Sequence, residues 1–572
     1  MTVAVAGEAA AAAVLVVAAA LTGALGGAPG GWRRGSQRGG EGPDRWPGQR
    51  AVGPPGLGTR PTGGPWPRGP SASARWAGPS AIRRLAVSGT PPGRLCLGAA
   101  LGPRRLGGRT PLAAEAAQSV AVVGPTQSGK TTGLAVPAIL TWQGPVLAAS
   151  VKTDLVRDTL AWRRRCGRVW CFDPGRTTGL PPSEWSPLGT ARTWTGARRV
   201  AADLTEVTRG EGTTPDGEFW YATAAKLLAP LLFAAATAGA TMADVVRWVD
   251  TQEVEEVLDI LAAAGVPEAL QAARASWQRD ERQRSAVYTT AETILEPYAG
   301  DSHLTTGRSG SRADDTPPLG VRLDSPSLPS TSAPDVGEVD PEQLLGGDHT
   351  LYVCAPAHDQ RRLRGLFVAV VKQVLEAGFA RATRAGAPLD PPLLVVLDEA
   401  ANIAPLADLD GLAATCAGHG IQLVTVWQDL AQVRARYGER ASTVVNNHRA
   451  KLFLSGTSDP VTLDHASHLV GEEELLVSSV TTSAAGERTV TASPLHRPLL
   501  PPDALRRMPP GTGVLLYGTL PPIRVALQPW HQDVTLAARA GGGSTGTGRG
   551  RGRWGRRWRS RRARGGGRVT GG

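Results

Sequence analysis

The stretch that decides the fold begins at Val122 and reads Val-Val-Gly-Pro-Thr-Gln-Ser-Gly-Lys-Thr-Thr, ending at Thr132. Its pattern, G-x-x-x-x-G-K-T, is that of a phosphate-binding loop. The glycines let successive backbone N–H groups point at one phosphate, the lysine neutralises the β- and γ-phosphates, and the threonine hydroxyl is a ligand for Mg²⁺. An apolar run before the loop predicts a buried strand, and the residues after it predict a helix. We therefore expect ATP and Mg²⁺ as cofactors, with ATP bound by Gly124, Pro125, Thr126, Gln127, Ser128, Gly129, Lys130, Thr131 and Thr132.

A second motif lies far along the chain, where an apolar run from Pro391 ends in the acids Asp398 and Glu399. A buried strand of this kind delivers its last residues to the carboxyl edge of a parallel sheet, beside the phosphate loop. We expect Asp398 to hold Mg²⁺ together with Thr131, and Glu399 to polarise the attacking water.

A polar amide follows the next apolar run, Ile421–Val426, which is succeeded by Trp427 and Gln428. It could reach the γ-phosphate or its water, and an ordinary strand-end glutamine is the alternative interpretation. The predicted catalytic residues are Lys130, Asp398, Glu399 and Gln428.

Strand-like runs alternate with helical patterns and predict an α/β fold with a mainly parallel, doubly wound sheet. The predicted strands are 119–123, 145–150, 168–172, 350–354, 392–397, 421–426 and 450–454, with an antiparallel pair at 513–517 and 523–526. Between the third and fourth runs, alanine and leucine at helical spacing predict an inserted all-α domain. The predicted division is a membrane anchor (1–30), a Gly/Pro/Arg-rich linker (31–112), a nucleotide-binding domain in two parts (113–189 and 346–536), the all-α domain (190–300), a disordered connector (301–345) and a disordered basic tail (537–572).

The charge is unevenly distributed along the 572 residues, whose formal net charge is +12. Arginines are concentrated in residues 31–110 and 549–572, so the residues between these segments carry a net negative charge. The basic flanks suit nucleic acid or lipid, although arginine-rich coding bias is an equal alternative. The five cysteines form no C-x-x-C pair, which argues against a disulfide framework and a structural zinc site.

An apolar, uncharged stretch at residues 9–27 is long enough to span a bilayer as a helix. Arginines follow it and none precedes it, which predicts a single span with the bulk of the chain in the cytoplasm. A signal peptide or a disordered alanine tract are the alternatives.

Taken together, these segments resemble the type IV secretion system coupling proteins, the TraG/TraD-like conjugative DNA-transfer ATPases, in their actinobacterial form. Beyond the two nucleotide motifs, the resemblance rests on Ser150–Leu155, Phe172–Pro174, Ser285–Thr290, Leu397–Pro405 and Val424–Gln432. It implies a RecA-like P-loop NTPase that forms a homo-oligomeric ring, a hexamer, at the inner or plasma membrane. Its implied partners are DNA, single-stranded and attached to a relaxase, and the components of a type IV secretion channel.

The chain departs from the family's pattern in two respects. Some relatives carry an arginine finger before the third-motif strand, where this chain has Cys416-Ala-Gly-His-Gly; Arg434, Arg436 and Arg449 are the alternatives. Many members have two membrane spans, and this sequence predicts one.

Two other functions remain open at the level of sequence. One is a double-stranded DNA translocase of the FtsK/HerA type, although the sequence after Gln528 contains no separate DNA-reading module. The other is a scaffold that recruits protein substrates for secretion and binds ATP only structurally.

Overall fold

The structure, a computed structural model, describes residues 73–541 except 90, 103–108, 209–214, 300–336, 356–359 and 483–487. The predicted membrane span, the first part of the predicted linker, most of the predicted connector and the tail from 542 onward lie outside the described residues.

One large sheet organises the described chain. It has eleven strands in the order β2-β1-β13-β12-β9-β3-β8-β7-β4-β6-β5. The strands are β1 Cys96–Leu101, β2 Arg109–Ala113, β3 Val120–Val123, β4 Val146–Ser150, β5 Val169–Phe172, β6 Thr350–Cys354, β7 Leu393–Asp398, β8 Ile421–Trp427, β9 Ala450–Leu454, β12 Thr512–Tyr517 and β13 Ile523–Ala526.

The seven strands from β9 to β5 in this order are all parallel, as the alternation of apolar runs and helices predicts. β12 then pairs antiparallel with β9 and with β13, which confirms the predicted pair. The mainly parallel sheet is therefore confirmed, with an antiparallel extension at one edge.

The extension corrects one part of the expectation that residues 31–112 form a linker, because Cys96–Leu101 and Arg109–Ala113 belong to the sheet. β1 pairs antiparallel with β13, and β2 pairs with β1 at the edge of the sheet. The sequence pattern does not predict these strands because they contain Pro111 and Gly98, and both residue types weaken a strand pattern. An edge strand tolerates proline, and Gly98 has φ +94 where an added Cβ would lie 2.6 Å from the carbonyl oxygen of Ala526.

Both faces of the sheet are covered by helices, because neighbouring residues on each strand point to opposite sides. Val146 and Ala148 lie in one apolar core, whereas Leu147 and Ala149 lie in the other. Outside the helical insertion the helices are α1 Pro79–Ile82, α2 Thr131–Thr141, α3 Asp154–Cys166, α10 Pro341–Leu344, α11 Gln360–Ala385, α12 Ala400–Ile403, α13 Leu409–Thr415, α14 Leu430–Tyr437, α15 Ala441–Asn447, α16 Pro460–Val470, α17 Pro502–Arg506 and α18 Val534–Arg539.

Helices fill the described chain between β5 and β6, in the region where the sequence predicts an all-α domain. They are α4 Trp194–Thr208, α5 Pro215–Ala238, α6 Met242–Asp250, α7 Glu255–Ala264, α8 Pro267–Trp277 and α9 Glu281–Leu295. Within the described residues one stretch, Gly217–Ala238, is long and apolar enough to cross a membrane, and 61% of its most apolar window is buried inside the fold. Its leucines pack against the neighbouring helices, so we interpret it as the core helix of this helical group.

A separate two-stranded ribbon follows α16. Its strands, β10 Glu472–Thr482 and β11 Arg488–Pro498, pair antiparallel over their whole length. The side chains of Leu476, Val480 and Val490 are largely exposed on it. The sequence pattern does not predict these strands, because neither face of the ribbon is buried and no apolar alternation marks it.

Candidate functional site

The predicted phosphate-binding loop connects β3 to α2 at the carboxyl edge of the parallel strands. The N–H of Gly124 donates to the carbonyl of Trp427 at the end of β8, 3.1 Å away, which fixes the start of the loop against the neighbouring strand. Gln127 and Gly129 both have positive φ, +66° and +92°. These left-handed turns curl the loop over the amino end of α2, where helix N–H groups favour an anion.

Lys130 is buried, and its ammonium group turns back onto its own loop. It donates to the carbonyl oxygens of Gly124 and Pro125. Burial lowers the pKa of Lys130, while the nearby carboxylates Asp398 and Glu399 oppose that shift. The ammonium group of Lys130 is therefore poorly solvated, and it lies beside the space that a phosphate would fill.

A threonine and two acids meet beside this lysine. The Thr131 hydroxyl donates to Oδ2 of Asp398 over 3.3 Å. The hydroxyl of Ser150, at the end of β4, donates to the same oxygen over 3.2 Å. Burial raises the pKa of Asp398 to about 6, and the negative charges of Asp154 and Glu399 add to this. A cation at this position would stabilise the buried Asp398 carboxylate and offset its repulsion by Asp154 and Glu399.

Glu399 follows Asp398 directly and adopts the left-handed conformation, with φ 64° and ψ 55°. Its Oε1 lies 3.4 Å from the Nζ of Lys152, and its Oε2 accepts a hydrogen bond from Asn402 over 3.4 Å. The two acids thus point to different partners: Asp398 faces the loop and Glu399 faces the turn after β4.

Gln428 lies at the end of β8, next to the start of the loop. Its backbone N–H donates to Oε1 of Gln432 over 3.1 Å. The preceding residue, Trp427, is buried and donates through Nε1 to the Thr425 hydroxyl, 3.0 Å away. The backbone of Gln428 therefore lies at the site, where hydrogen bonds of Gln428 and of the adjacent Trp427 hold it in place.

The three arginines considered as fingers lie in different places. Arg449 precedes β9, at the amino edge of the sheet, where it pairs with Glu115 at 3.3 Å and stacks on Tyr517. Arg436 donates to the carbonyl of Pro405 over 3.2 Å, and Arg434 is exposed on α14. Because Arg449 lies at the edge of the sheet opposite the phosphate loop, it is excluded from the nucleotide site of its own chain.

Three residues of the site were missed as individual residues by the sequence reasoning: Ser150, Lys152 and Asn402. The pairing of β4 with β7 sets Ser150 opposite Asp398, and this neighbour relationship brings them in. The only signal in the sequence for Ser150 and Lys152 is the family resemblance of Ser150–Leu155, which implies no role for either residue. For Ser150 and Lys152 the missing information was the order of strands in the sheet, whereas Asn402 contacts Glu399 from three residues along the chain.

The fold and this arrangement together define the class: a P-loop NTPase with a RecA-like sheet. Two family models match the chain. Residues 97–304 match the model described as type IV secretory system conjugative DNA transfer, and residues 392–510 match the model described as the TraM recognition site of TraD and TraG. The chain belongs to the family of type IV secretion coupling proteins.

The chain is also similar to individual proteins of conjugal transfer systems and to VirD4 proteins. The chain is 26% identical over 427 residues to the conjugal transfer protein TraG of Escherichia coli, covering 68% of this chain and 62% of that protein. It is 24% identical over 478 residues to the protein VirD4 of Agrobacterium fabrum, covering 81% of this chain and 66% of that protein. The chain thus spans just under two thirds of the length of these curated relatives.

Solved structures of the bacterial conjugative coupling protein TrwB share the fold. The unbound monoclinic form superposes with a TM-score of 0.54 at 17% identity, over 77% of this chain and 95% of that one. TrwB in complex with ADP and Mg²⁺ gives 0.53 at 18% identity, over 77% of this chain and 96% of that one. A further TrwB structure holds the non-hydrolysable ATP analogue ADPNP, with a TM-score of 0.52 at 17% identity over the same shares.

Proposed function

We propose that this chain is a membrane-anchored ATPase that couples ATP hydrolysis to the transfer of DNA, with an attached relaxase, to a type IV secretion channel. The observation that carries the proposal is the meeting of the phosphate loop with Thr131 and Asp398 at the carboxyl edge of the parallel sheet, in a chain of the coupling-protein family.

The residues present fit ATP and Mg²⁺. Ser128 Oγ is buried in the loop and finds no hydrogen-bond partner among the described residues, as expected where a phosphate oxygen would accept from it. Mg²⁺ is commonly bound by one or two protein oxygens, with waters and phosphate oxygens completing its shell. Thr131 and Asp398 supply such a pair, and in the described part of the chain no cluster of three or more histidine, cysteine or acidic side chains offers a competing metal site. The TrwB complexes named above support the same cofactors.

Each side chain would then have a separate role. Lys130 would leave its loop carbonyls for the β- and γ-phosphates, and the loop N–H groups would hold the phosphate chain in place. Mg²⁺ would supply charge neutralisation at the phosphates when bound. Glu399 would accept hydrogen bonds from the attacking water and orient it, and Gln428 would contact the γ-phosphate or that water.

The remaining parts of the proposal concern assembly. We propose a homo-oligomeric ring, a hexamer, held at the inner or plasma membrane by the apolar stretch at residues 9–27. We retain the division into anchor, two-part nucleotide-binding domain and helical insertion. DNA contacts, single-stranded by preference, would depend strongly on salt.

Turnover of ATP by the purified full chain tests the catalytic part. We expect Lys130→Ala to abolish nucleotide binding, and Glu399→Gln to retain binding while turnover falls about a hundredfold or more. Lys226→Ala is the matched control, because this lysine is exposed on α5. Normal turnover in the Glu399→Gln variant would contradict the assignment of the base.

DNA dependence separates the alternatives. Stimulation by single-stranded DNA supports the proposal, whereas stimulation by duplex alone would favour a translocase of the FtsK/HerA type. A Lys130→Ala chain that still supports DNA transfer between cells would favour the recruitment scaffold.

A further inference from the structure

Each carboxylate oxygen of Glu399 has a side-chain partner, and neither partner belongs to the phosphate loop. Lys152 approaches one oxygen at 3.4 Å, and Asn402 donates to the other over 3.4 Å. The Glu399 side chain is only 14% exposed, whereas that of Lys152 is 50% exposed. The proposed base is therefore held by two side chains that lie on the sheet side of the site and on α12.

The approach of Lys152 follows from the strand order. β4 and β7 are hydrogen-bonded neighbours with Ser150 opposite Asp398, so residues just beyond the two strand ends face each other. Ser150 Oγ accepts from the backbone N–H of Lys152 over 3.1 Å while donating to Asp398. One turn after β4 thus contacts both acids, Asp398 through Ser150 and Glu399 through Lys152.

The backbone of Glu399 is fixed, so only its side chain is free to reorient. Its carbonyl accepts from the N–H groups of Asn402 and Ile403, over 2.8 and 3.2 Å. Its left-handed conformation is unfavourable for a residue with a Cβ and persists where surrounding contacts hold it. Breaking the contact with Lys152 would therefore redirect the carboxylate and leave the strand end in place.

While Lys152 and Asn402 hold its two carboxylate oxygens, the Glu399 side chain cannot turn freely toward an attacking water. The Lys152 side of the pair is half exposed to water, which screens the attraction and lets the contact open. We propose that Lys152 is a positioning residue that restrains Glu399 and thereby limits ATP turnover. This inference rests on the proposed ATPase function, and Lys152 acts on the reaction through Glu399.

Steady-state turnover of the full chain, without DNA, tests the restraint in Lys152→Met and Lys152→Arg. We expect the methionine variant to raise kcat about threefold, the scale of a surface ion pair, with KM for ATP unchanged. The arginine variant keeps the charge and should remain near the wild type. Lys226→Met, on the exposed face of α5, controls for loss of a lysine elsewhere.

A double-mutant cycle distinguishes this role from a structural one. In the Glu399→Gln background, Lys152→Met should add nothing, because the group it restrains is gone. If the methionine variant does not fold, Lys152→Gln takes its place in the same comparison.

The outcomes separate the two proposals. A fall in kcat, a rise in KM, or equal activation in the methionine and arginine variants would overturn the restraint, while an active wild type with an inactive Glu399→Gln variant would leave the ATPase proposal standing. A wild type with no turnover under any DNA condition would overturn both.

Discussion

Gly124 is the residue at which β3 turns into the phosphate loop, and it has no room for a side chain. A Cβ there would lie 2.8 Å from Leu454 Cβ and 2.8 Å from Ser128 Oγ. We expect Gly124→Ala to lower the free energy of unfolding by about 1–3 kcal/mol, as overpacking does, and to weaken nucleotide binding. Urea unfolding and nucleotide titration measure the two effects. Gly411→Ala is the control, since no atom lies within 4 Å of its Cβ position, and a similar loss in that variant would refute the steric explanation.

His448 is a fully buried histidine whose hydrogen bonds define its neutral form. Its Nδ1 donates to the carbonyl of Val444 over 2.7 Å, and Nε2 accepts from the Thr425 hydroxyl, 3.0 Å away. Burial, with a smaller contribution from the charge of Lys451, lowers the pKa of His448 to about 4 against the opposing effect of the Val444 hydrogen bond.

The direction of the pH effect follows from that shift. As the pH falls from about 6.5 to about 4, the unfolded chain takes up a proton that the folded chain refuses, so stability is lost by up to about 3 kcal/mol. We expect His448→Gln to be less stable than the wild type at pH 7 but to lose less stability between pH 7 and pH 4. Denaturant unfolding at both pH values measures this, with the exposed His468→Gln as control. Parallel curves for wild type and His448→Gln would contradict it.

At the residue scale, the proximity of Lys130, Thr131 and Asp398 was predictable because each lies in a motif whose strand and turn are local signals. Lys152 was not, because its contact with Glu399 depends on β4 and β7 being neighbours. Single-sequence patterns carry no information about the order of strands. Asn402 contacts Glu399 from three residues along the chain, through the left-handed turn at Glu399 that the sequence pattern does not reveal.

Among the elements, α11 is joined to α4 of the helical insertion by a cluster of charges. Lys372 on α11 lies 3.0 Å from Asp203 and 2.8 Å from Glu206, both on α4, and its own side chain is only 12% exposed. Lys372→Met would leave Asp203 without a partner, and burial already raises the pKa of that carboxyl. We expect a loss of about 3 kcal/mol in the free energy of unfolding, measured by urea titration. Lys226→Met should change it little, and an equal loss there would show that burial of the charge is not the cause.

The elements that the sequence predicts are those that are most buried. All seven parallel strands were predicted because strands covered on both faces are continuous apolar runs. β1 and β2 contain Gly98 and Pro111, and the ribbon of β10 and β11 is solvated on both faces, so none of them carries such a run. The unpredicted elements are therefore those that lack a continuous apolar run.

For the whole molecule, the antiparallel extension covers part of the apolar core. Leu85, Leu97 and Leu112 are fully buried in the core beneath the extension. A chain lacking residues 1–112 would expose this core and the edge of β13, at about 2 kcal/mol for each lost leucine, whereas a chain lacking residues 1–72 keeps both. We expect the shorter chain to melt at lower temperature and to bind a hydrophobic dye. Equal melting temperatures for the two truncated chains would contradict the role of β1 and β2.

The position of the helices between β5 and β6 has a consequence for how the chain can vary. These strands are hydrogen-bonded neighbours at one edge of the sheet, so the helical segment is a closed loop with both ends fixed. The entropic cost of closing a loop grows only with the logarithm of its length, about 0.6 kcal/mol for each doubling. Lengthening the segment therefore costs little closure entropy, whereas removing α4 would also break the contacts of Lys372 with Asp203 and Glu206. β3, β7 and β8, which deliver the nucleotide residues, lie outside the segment and keep their order whatever its length.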